Sequence, residues 1–366
     1  MRIQFNNLYY LHKKIKNNLI LSFKKHIYNS NFIGGNEVTK FENKFKTLNQ
    51  SKYCISCANG SDALLIAIKS LGLKPGEEVI TTAFSWIATS ASITLAGGKV
   101  VFCDIEKDGF NIDVNEIEKK ITKKTVGIIP VHLYGYPADM TKIMKIAKKN
   151  HLWVIEDCAQ AHLASIKNKK VGNFGNFGSF SFFPGKNLGA LGDAGCLVTN
   201  NKNLAKKAKL IATHGGKGKH LIEGVNSRLD SIQASFLNVK IDSLNKDTGI
   251  RIKNANIYFK NLRFIKNIKL PKIINNHKNV FHQFTIRLKN RNLLKNHLEK
   301  YNIETQVHYK KILPAMNAYK YMKLSSKNFP NAAKASKEIL CLPISPSANN
   351  KMIIFIIKKI IIFFKK

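Results

Sequence analysis

Residues 180–195 read FSFFPGKNLGALGDAG, and the rest of the chain takes its meaning from them. One lysine, Lys186, stands among Pro184, Gly185, Gly189 and Gly192, residue types that fix or free the backbone of a turn. Apolar and aromatic residues (Phe180, Phe182, Phe183) lead into the turn, Ser181 lies five positions before the lysine, and the apolar run CLVT follows at 196–199. The pattern predicts a site on a buried sheet, where a lysine amine can be held deprotonated and within reach of a carbonyl. Most of the chain's 54 lysines are expected to be solvated surface charges, so context singles out Lys186.

Working outward, short apolar runs alternate with helical patterns. YCISC (53–57) precedes SDALLIAIKSLG, EEVITT (77–82) precedes SWIATSASITLAG, KVVFCDI (99–105) precedes NEIEKKI, TVGIIPV (125–131) precedes DMTKIMKIAKKN, and LWVIED (152–157) follows. Such alternation predicts an α/β domain with a mostly parallel sheet, whose ligand sits at the carboxyl ends of the strands. Before it, residues 8–28 have helical periodicity, and FIGGNEVTKFENKFKTLN predicts a glycine turn and an amphipathic helix with Val38, Phe41 and Phe45 on one face.

At 366 residues the chain is expected to hold a large domain and a smaller one. The formal charge of +38 would ordinarily suggest nucleic acid or a membrane, but it comes from 54 Lys and only 6 Arg scattered along the whole length. That distribution argues against a nucleic-acid surface and leaves a field that attracts an anionic substrate such as a nucleotide diphosphate. Six cysteines without a disulfide framework, and no secretory signal, predict a cytoplasmic protein with buried thiols. The CxxC of Cys54 and Cys57 falls in a strand and its exit, where redox or zinc chemistry is not expected. The apolar C-terminal stretch is too short to span a bilayer and is interrupted by Lys358 and Lys359, which predicts a docked terminal helix.

Four strand ends carry candidate chemistry. ANGSDAL (58–64) opens a helix with Gly60 and Ser61, whose free amides suit a phosphate, although Ser61 and Asp62 are also ordinary helix-start residues. Trp86 in FSWIAT can stack on a planar ring, against a default of core packing. His132 in PVHLYGYPADM reads equally as a satisfied loop histidine. In WVIEDCAQAH, Glu156 and Asp157 end a buried strand, where a carboxylate needs a cationic ligand, an arginine or a capping role. A phosphate cradle, a stacking ring, a carboxylate and a lysine on one sheet edge are together the requirements of pyridoxal phosphate.

With these residues in hand, the chain resembles the DegT/DnrJ/StrS family of nucleotide-sugar aminotransferases. The resemblance runs through FIGGNEVTKFE, NGSDAL, GEEVITTAFSWIAT, VHLYGYPADM, VIEDCAQAH, FSFFPGKNLGALGD, GVNSRLDSIQA, HQFTIR, VHY and LPISP, nearly the full length. It implies the α/β fold of type I pyridoxal-phosphate aminotransferases: a large domain over 1–245, with its N-terminal helical entry segment, and a smaller C-terminal α+β domain over 246–366.

The resemblance also implies roles. Lys186 would condense with the cofactor aldehyde, Asp157 would pair with its ring nitrogen, Gln160 would lie near its phenolic oxygen and Trp86 would cover the ring. Gly60, Ser61 and Ser181 would hold the phosphate, reached by Asn226 from the other subunit of a homodimer, and His308 and Tyr309 would approach the sugar nucleotide. It implies transfer of an amino group from glutamate to a keto-deoxyhexose on a nucleotide diphosphate, with KNLGALGD resembling the branch that takes dTDP-3-keto-6-deoxyhexoses. 4-Keto sugars and a noncatalytic, regulatory relative are the alternatives. Relatives with histidine in place of the lysine dehydrate instead, and Lys186 favours transamination. Two departures stand near the expected site: Ala194 and Leu163 occupy positions where the family usually has glycine.

Overall fold

In the computed structural model, which describes residues 2–216 and 218–365, the runs rich in Ile and Val become the strands of a buried sheet. Strands β1 (Tyr53–Cys57), β2 (Glu78–Thr82), β3 (Lys99–Cys103), β4 (Thr125–Ile129) and β5 (Trp153–Asp157) are each followed by a helix or a loop that returns the chain to the opposite edge. A side hairpin, β6 (Ser165–Ile166) and β7 (Lys169–Lys170), precedes β8 (Phe177–Ser181) and β9 (Gly195–Thr199). The seven-stranded sheet has the order β1-β9-β8-β5-β4-β2-β3. β2, β3, β4, β5 and β8 pair in parallel, and β9 lies antiparallel between β1 and β8. β9 therefore begins at the edge where the parallel strands end, which brings Asp193 to the same rim as the loops after β1, β2, β5 and β8.

The covering helices follow from periodicity. Helix Met140–Lys149 buries Met140, Ile143 and Ala147 on one stripe, and its N-cap Asp139 accepts from the Lys142 amide. Helix Asn36–Asn49 buries Phe41 and Phe45 as expected, with Val38 partly covered. The helical stretch expected over 8–28 is two helices, Leu8–Lys13 and Lys16–Asn29, because the helical pattern breaks at Lys14 and Ile15.

After the long helix Leu244–Leu262 the chain builds a small antiparallel pair, β11 (Phe284–Arg287) with β12 (Ile339–Leu342), while β10 (His277–Lys278) returns to extend the β6–β7 hairpin. The N-terminal arm joins this region too, through a parallel bridge between Ile3 and Ile303. The last helix, Asn350–Lys365, buries Ile353, Ile356, Ile357 and Ile360 and packs on helices Leu244–Leu262 and Arg291–Lys300. Among the described residues no helix is long and apolar enough to cross a membrane.

Candidate active site

A cavity of about 760 Å³ opens at the carboxyl ends of the parallel strands. It is lined by Gly60, Ser61, Trp86, Asp157, Gln160, Ser181, Lys186, His308 and Tyr309, so nine of the ten candidate residues meet in one place. Asn226 does not line it; this residue is exposed, and its Oδ1 accepts from Arg228 Nε at 3.1 Å.

The Lys186 loop is held by backbone hydrogen bonds. Lys186 N donates to Phe183 O at 2.8 Å, Ala190 N to Phe182 O at 2.7 Å, and Phe182 N to Ala194 O at 2.7 Å. Gly185, Gly189 and Gly192 do not take left-handed backbone angles, so conformational freedom is not why glycine stands there. At Gly189 the reason is closeness: a Cβ would press into the Pro184 carbonyl. Burial pulls the Lys186 amine down to about 8, opposed by the negative charge of Asp157. A small aldehyde with borohydride should therefore label Lys186 in steps that follow its neutral fraction, about a tenth at pH 7 and nine-tenths at pH 9, while surface lysines stay largely unlabelled near pH 8. Peptide mass mapping across pH reads this; a Lys186 that labels no earlier than the surface lysines would contradict it.

Asp157, at the end of β5, is 5% exposed. Its Oδ2 accepts from Thr89 Oγ1 at 2.7 Å and its Oδ1 from the Ala159 amide at 3.1 Å, and Thr89 also bonds Ser85 Oγ at 3.1 Å. Its neighbour Glu156 needs neither the cationic ligand nor the arginine that the sequence suggested. Glu156 accepts from the amides of Gly172, Phe174 and Gly175 at 2.7–2.9 Å and from His132 Nε2 at 3.1 Å. His132 Nδ1 accepts from the Ala138 amide at 3.0 Å, which fixes the proton on Nε2 and makes the pair structural. Cys158 lies close enough to complete a His–Glu–Cys trio, but the hydrogen bonds already made use the carboxylate and both ring nitrogens. Glu156→Gln would set an NH₂ against backbone N–H groups and should cost about 3 kcal/mol in chemical denaturation; an unchanged unfolding midpoint would contradict this.

The opposite wall is the start of helix Gly60–Leu71. Asn59 caps it by accepting from the Asp62 amide at 2.9 Å, leaving the first amides, at Gly60 and Ser61, without intrahelical acceptors beside the cavity. Gly60 packs so closely on β8 that a Cβ would sit 2.6 Å from Ser181 Cβ, which brings two of the three phosphate candidates of this chain together. Ser227 Oγ donates to Asp62 Oδ2 at 2.7 Å and accepts from the Ala58 amide at 3.1 Å, tying the segment that carries Asn226 to this helix start.

The expected core packing of Trp86 is not found: the indole is 58% exposed and its ring lies 5.8 Å from that of Tyr309. Gln160 Oε1 accepts from the Tyr134 amide at 2.7 Å and its Nε2 donates to Tyr309 Oη at 3.2 Å. Burial, with the positive charge of Lys186, holds His308 below the usual imidazole range. Tyr134 Oη in turn donates to the His308 carbonyl. The CxxC is inert, since burial raises both Cys54 and Cys57 thiols.

The two departures from the family pattern resolve differently. Ala194 has no left-handed angle and its methyl lies in the core, so it costs nothing at the site. Leu163 has φ of +70°, does not line the cavity, and buries its side chain in the apolar cluster that also holds Ala161, Ala164 and Val171.

These residues fit pyridoxal phosphate. An amine shifted toward neutrality, a buried carboxylate with capacity left for a ring N–H, free helix-start amides with two hydroxyls, and an exposed indole face one cavity. Sequence reasoning missed other lining residues, among them Asn6, Thr89, Asp193 and Arg251. Thr89 was within reach, three residues after Trp86; Arg251 carried a signal as one of six arginines in a lysine-rich chain.

A family model described as the DegT/DnrJ/EryC1/StrS aminotransferase family matches residues 13–361. The chain is 42% identical to a Geobacillus stearothermophilus protein named pleiotropic regulatory protein, over 92% of this chain and 91% of the relative. It is 37% identical to the UDP-2-acetamido-2-deoxy-3-oxo-D-glucuronate aminotransferase of Pseudomonas aeruginosa, over 94% and 95%. Among solved structures, S. venezuelae DesV in complex with a ketimine intermediate superposes with a TM-score of 0.97 at 30% identity, covering 100% of this chain and 99% of that one.

Proposed function

The chain belongs to the DegT/DnrJ/EryC1/StrS aminotransferase family, pyridoxal-phosphate enzymes that aminate nucleotide sugars, and we propose that it moves the amino group of glutamate to C3 of a dTDP-linked 3-keto-6-deoxyhexose. The observation that carries this reading is the meeting of Lys186, Asp157 and the Gly60–Ser61 helix start in one cavity. Attack at C3 is supported by the 3-oxo sugar in the name of the Pseudomonas relative, and the dTDP carrier by the KNLGALGD stretch.

When bound, pyridoxal phosphate supplies an electron sink for the pair left behind as the carbon beside its nitrogen loses a proton. Lys186 Nζ, with its affinity for protons lowered by burial, takes the proton from the α-carbon of the donor and later delivers one to C3 of the sugar. Asp157 holds a proton at the ring nitrogen, and Thr89 and the Ala159 amide keep its carboxylate oriented. Gly60, Ser61 and Ser181 would hold the phosphate, Trp86 would cover the ring, Gln160 would lie by the phenolic oxygen, and His308 and Tyr309 would face the sugar nucleotide. Overall, glutamate and the keto sugar become 2-oxoglutarate and the amino sugar.

The enzyme works as a cytoplasmic homodimer in which the partner subunit's Asn226 completes the phosphate site. Asn226 lies outside the cavity of its own chain, and exposed Leu21 and Tyr28 on helix Lys16–Asn29 offer apolar surface for a partner. A regulatory role, suggested by the name of the Geobacillus relative, leaves unexplained why an amine at about 8 faces a buried carboxylate. The test is incubation with glutamate and a panel of 3-keto and 4-keto sugars on dTDP, UDP and GDP, following aminated product by mass. Product from the dTDP-3-keto sugar alone supports the full proposal; product only from a 4-keto or UDP-linked sugar overturns the choice of substrate, and none from any overturns the reaction.

A further inference from the structure

Arg251, on helix Leu244–Leu262, is 4% exposed and yet lines the cavity that holds Lys186. Its Nη1 donates to the carbonyls of Phe281 and His282 at 3.3 and 3.2 Å. No carboxylate among the described residues accepts from it. Asp247, one turn earlier, is the acid whose charge it feels, and Asp247 Oδ2 accepts instead from Ser243 Oγ at 3.1 Å. The equally buried Arg287 shows the usual arrangement, pairing with Glu338 at 3.0 Å.

A guanidinium taken out of water costs several kcal/mol unless a counter-charge meets it. At Arg251 burial outweighs the partial offset from Asp247 and draws the group down to about 10, so it is still cationic at neutral pH with no carboxylate bonded to it among the described residues. A planar fork is matched to a carboxylate in a way that lysine is not. In a chain with 54 lysines and 6 arginines, its presence at the cavity is chemically specific.

Position selects the anion. Arg251, Lys186 and Asn6, with Asp247 and Lys240, also line a second pocket of about 40 Å³. A space that small has room for only a few water molecules, and Arg251 and Lys186 thus border two shared spaces, the main cavity and this one. Gly60, Ser61 and Ser181 line the main cavity but not this pocket, so the phosphate cradle is elsewhere. Asn6 Oδ1 is buried here without a hydrogen-bond partner, an acceptor awaiting an N–H. An α-amino acid brings both missing groups, a carboxylate and a nitrogen donor, on one carbon. The diphosphate of a sugar nucleotide is joined at C1, two carbons from a C3 that reacts at Lys186, whereas an α-carboxylate is one bond from its reacting carbon.

We propose that Arg251 anchors the α-carboxylate of the amino donor, in a subsite separate from the one that takes the diphosphate. This rests on the aminotransferase reading. The holoenzyme is mixed with glutamate alone, and the absorbance change of the cofactor is followed against donor concentration in wild type, Arg251→Gln and Arg251→Lys. Loss of a charge-assisted pair should raise the half-saturating glutamate concentration by about 10- to 100-fold in Arg251→Gln, with Arg251→Lys in between. 4-Aminobutyrate, which lacks only the α-carboxylate, should be a poor donor for wild type and no worse for Arg251→Gln, so that the variant loses the preference between the two.

Calorimetry supplies a readout independent of turnover. Glutarate should bind wild type and lose affinity at least about 10-fold in Arg251→Gln, while dTDP binds both alike. Half-saturation by glutamate within threefold of wild type in a folded variant overturns the proposal. So does a fall in dTDP affinity with glutarate unaffected, which would make Arg251 the diphosphate anchor. If Arg251→Gln does not fold, the same comparisons are made with Arg251→Lys, where undiminished donor selectivity and glutarate affinity overturn it. Wild type unchanged by any amino donor, but binding glutarate through Arg251, would refute the aminotransferase reading rather than the anion site.

Discussion

Lys186→Ala should keep its fold and lose turnover by about 10,000-fold or more, since it removes the amine proposed to move the proton. The loop should survive because its hydrogen bonds run between backbone groups of Phe182, Phe183, Lys186, Ala190 and Ala194 and use no part of the lysine side chain. Product formation measured by mass, with the melting temperature as control, checks the prediction. Small primary amines added to the variant should restore part of the rate, because they replace a base and not a structural strut. Unchanged turnover in Lys186→Ala would end the catalytic reading.

Asp157→Asn should lower the rate by about 100- to 1,000-fold, the usual effect of deleting one preorganised electrostatic partner. Asparagine has the same shape: its oxygen can accept from the Ala159 amide while its NH₂ turns to the hydroxyl of Thr89, which can accept in place of donating. What disappears is the negative charge. A fall in kcat with half-saturating glutamate within a few-fold of wild type is the expected split. A variant that loses donor binding and keeps kcat would assign Asp157 to substrate recognition instead.

Lys186, Asp157, Ser61 and Trp86 were legible because each lies within a few residues of a strand end, and an α/β sheet collects its strand ends on one rim. Only local pattern is needed for that. Arg251 and Asn6 were not legible, because they reach the rim through distant connections: the long helix after residue 243 and the arm bridged from Ile3 to Ile303. Glu156 was misread for the same kind of reason. Its charge is met by amides of a loop 16–19 residues onward, Gly172, Phe174 and Gly175, and nothing near Glu156 in the chain announces that the loop returns. For Trp86, the preference of indoles for the interior was outweighed by its place just beyond β2, at the mouth of the cavity.

Leu163 has a consequence for how this sequence can change. At φ of +70° a leucine bears about 1–2 kcal/mol that glycine would not, yet its side chain is only 3% exposed and belongs to a buried apolar cluster. Leu163→Gly would recover that strain and forfeit the buried side chain, worth about 3–5 kcal/mol when a core leucine is truncated. The variant should be less stable by about 2 kcal/mol, measured by thermal unfolding; a more stable glycine variant would contradict the balance. With the leucine side chain part of the core, the substitution is held in place: returning to glycine is uphill unless another residue fills the space it leaves.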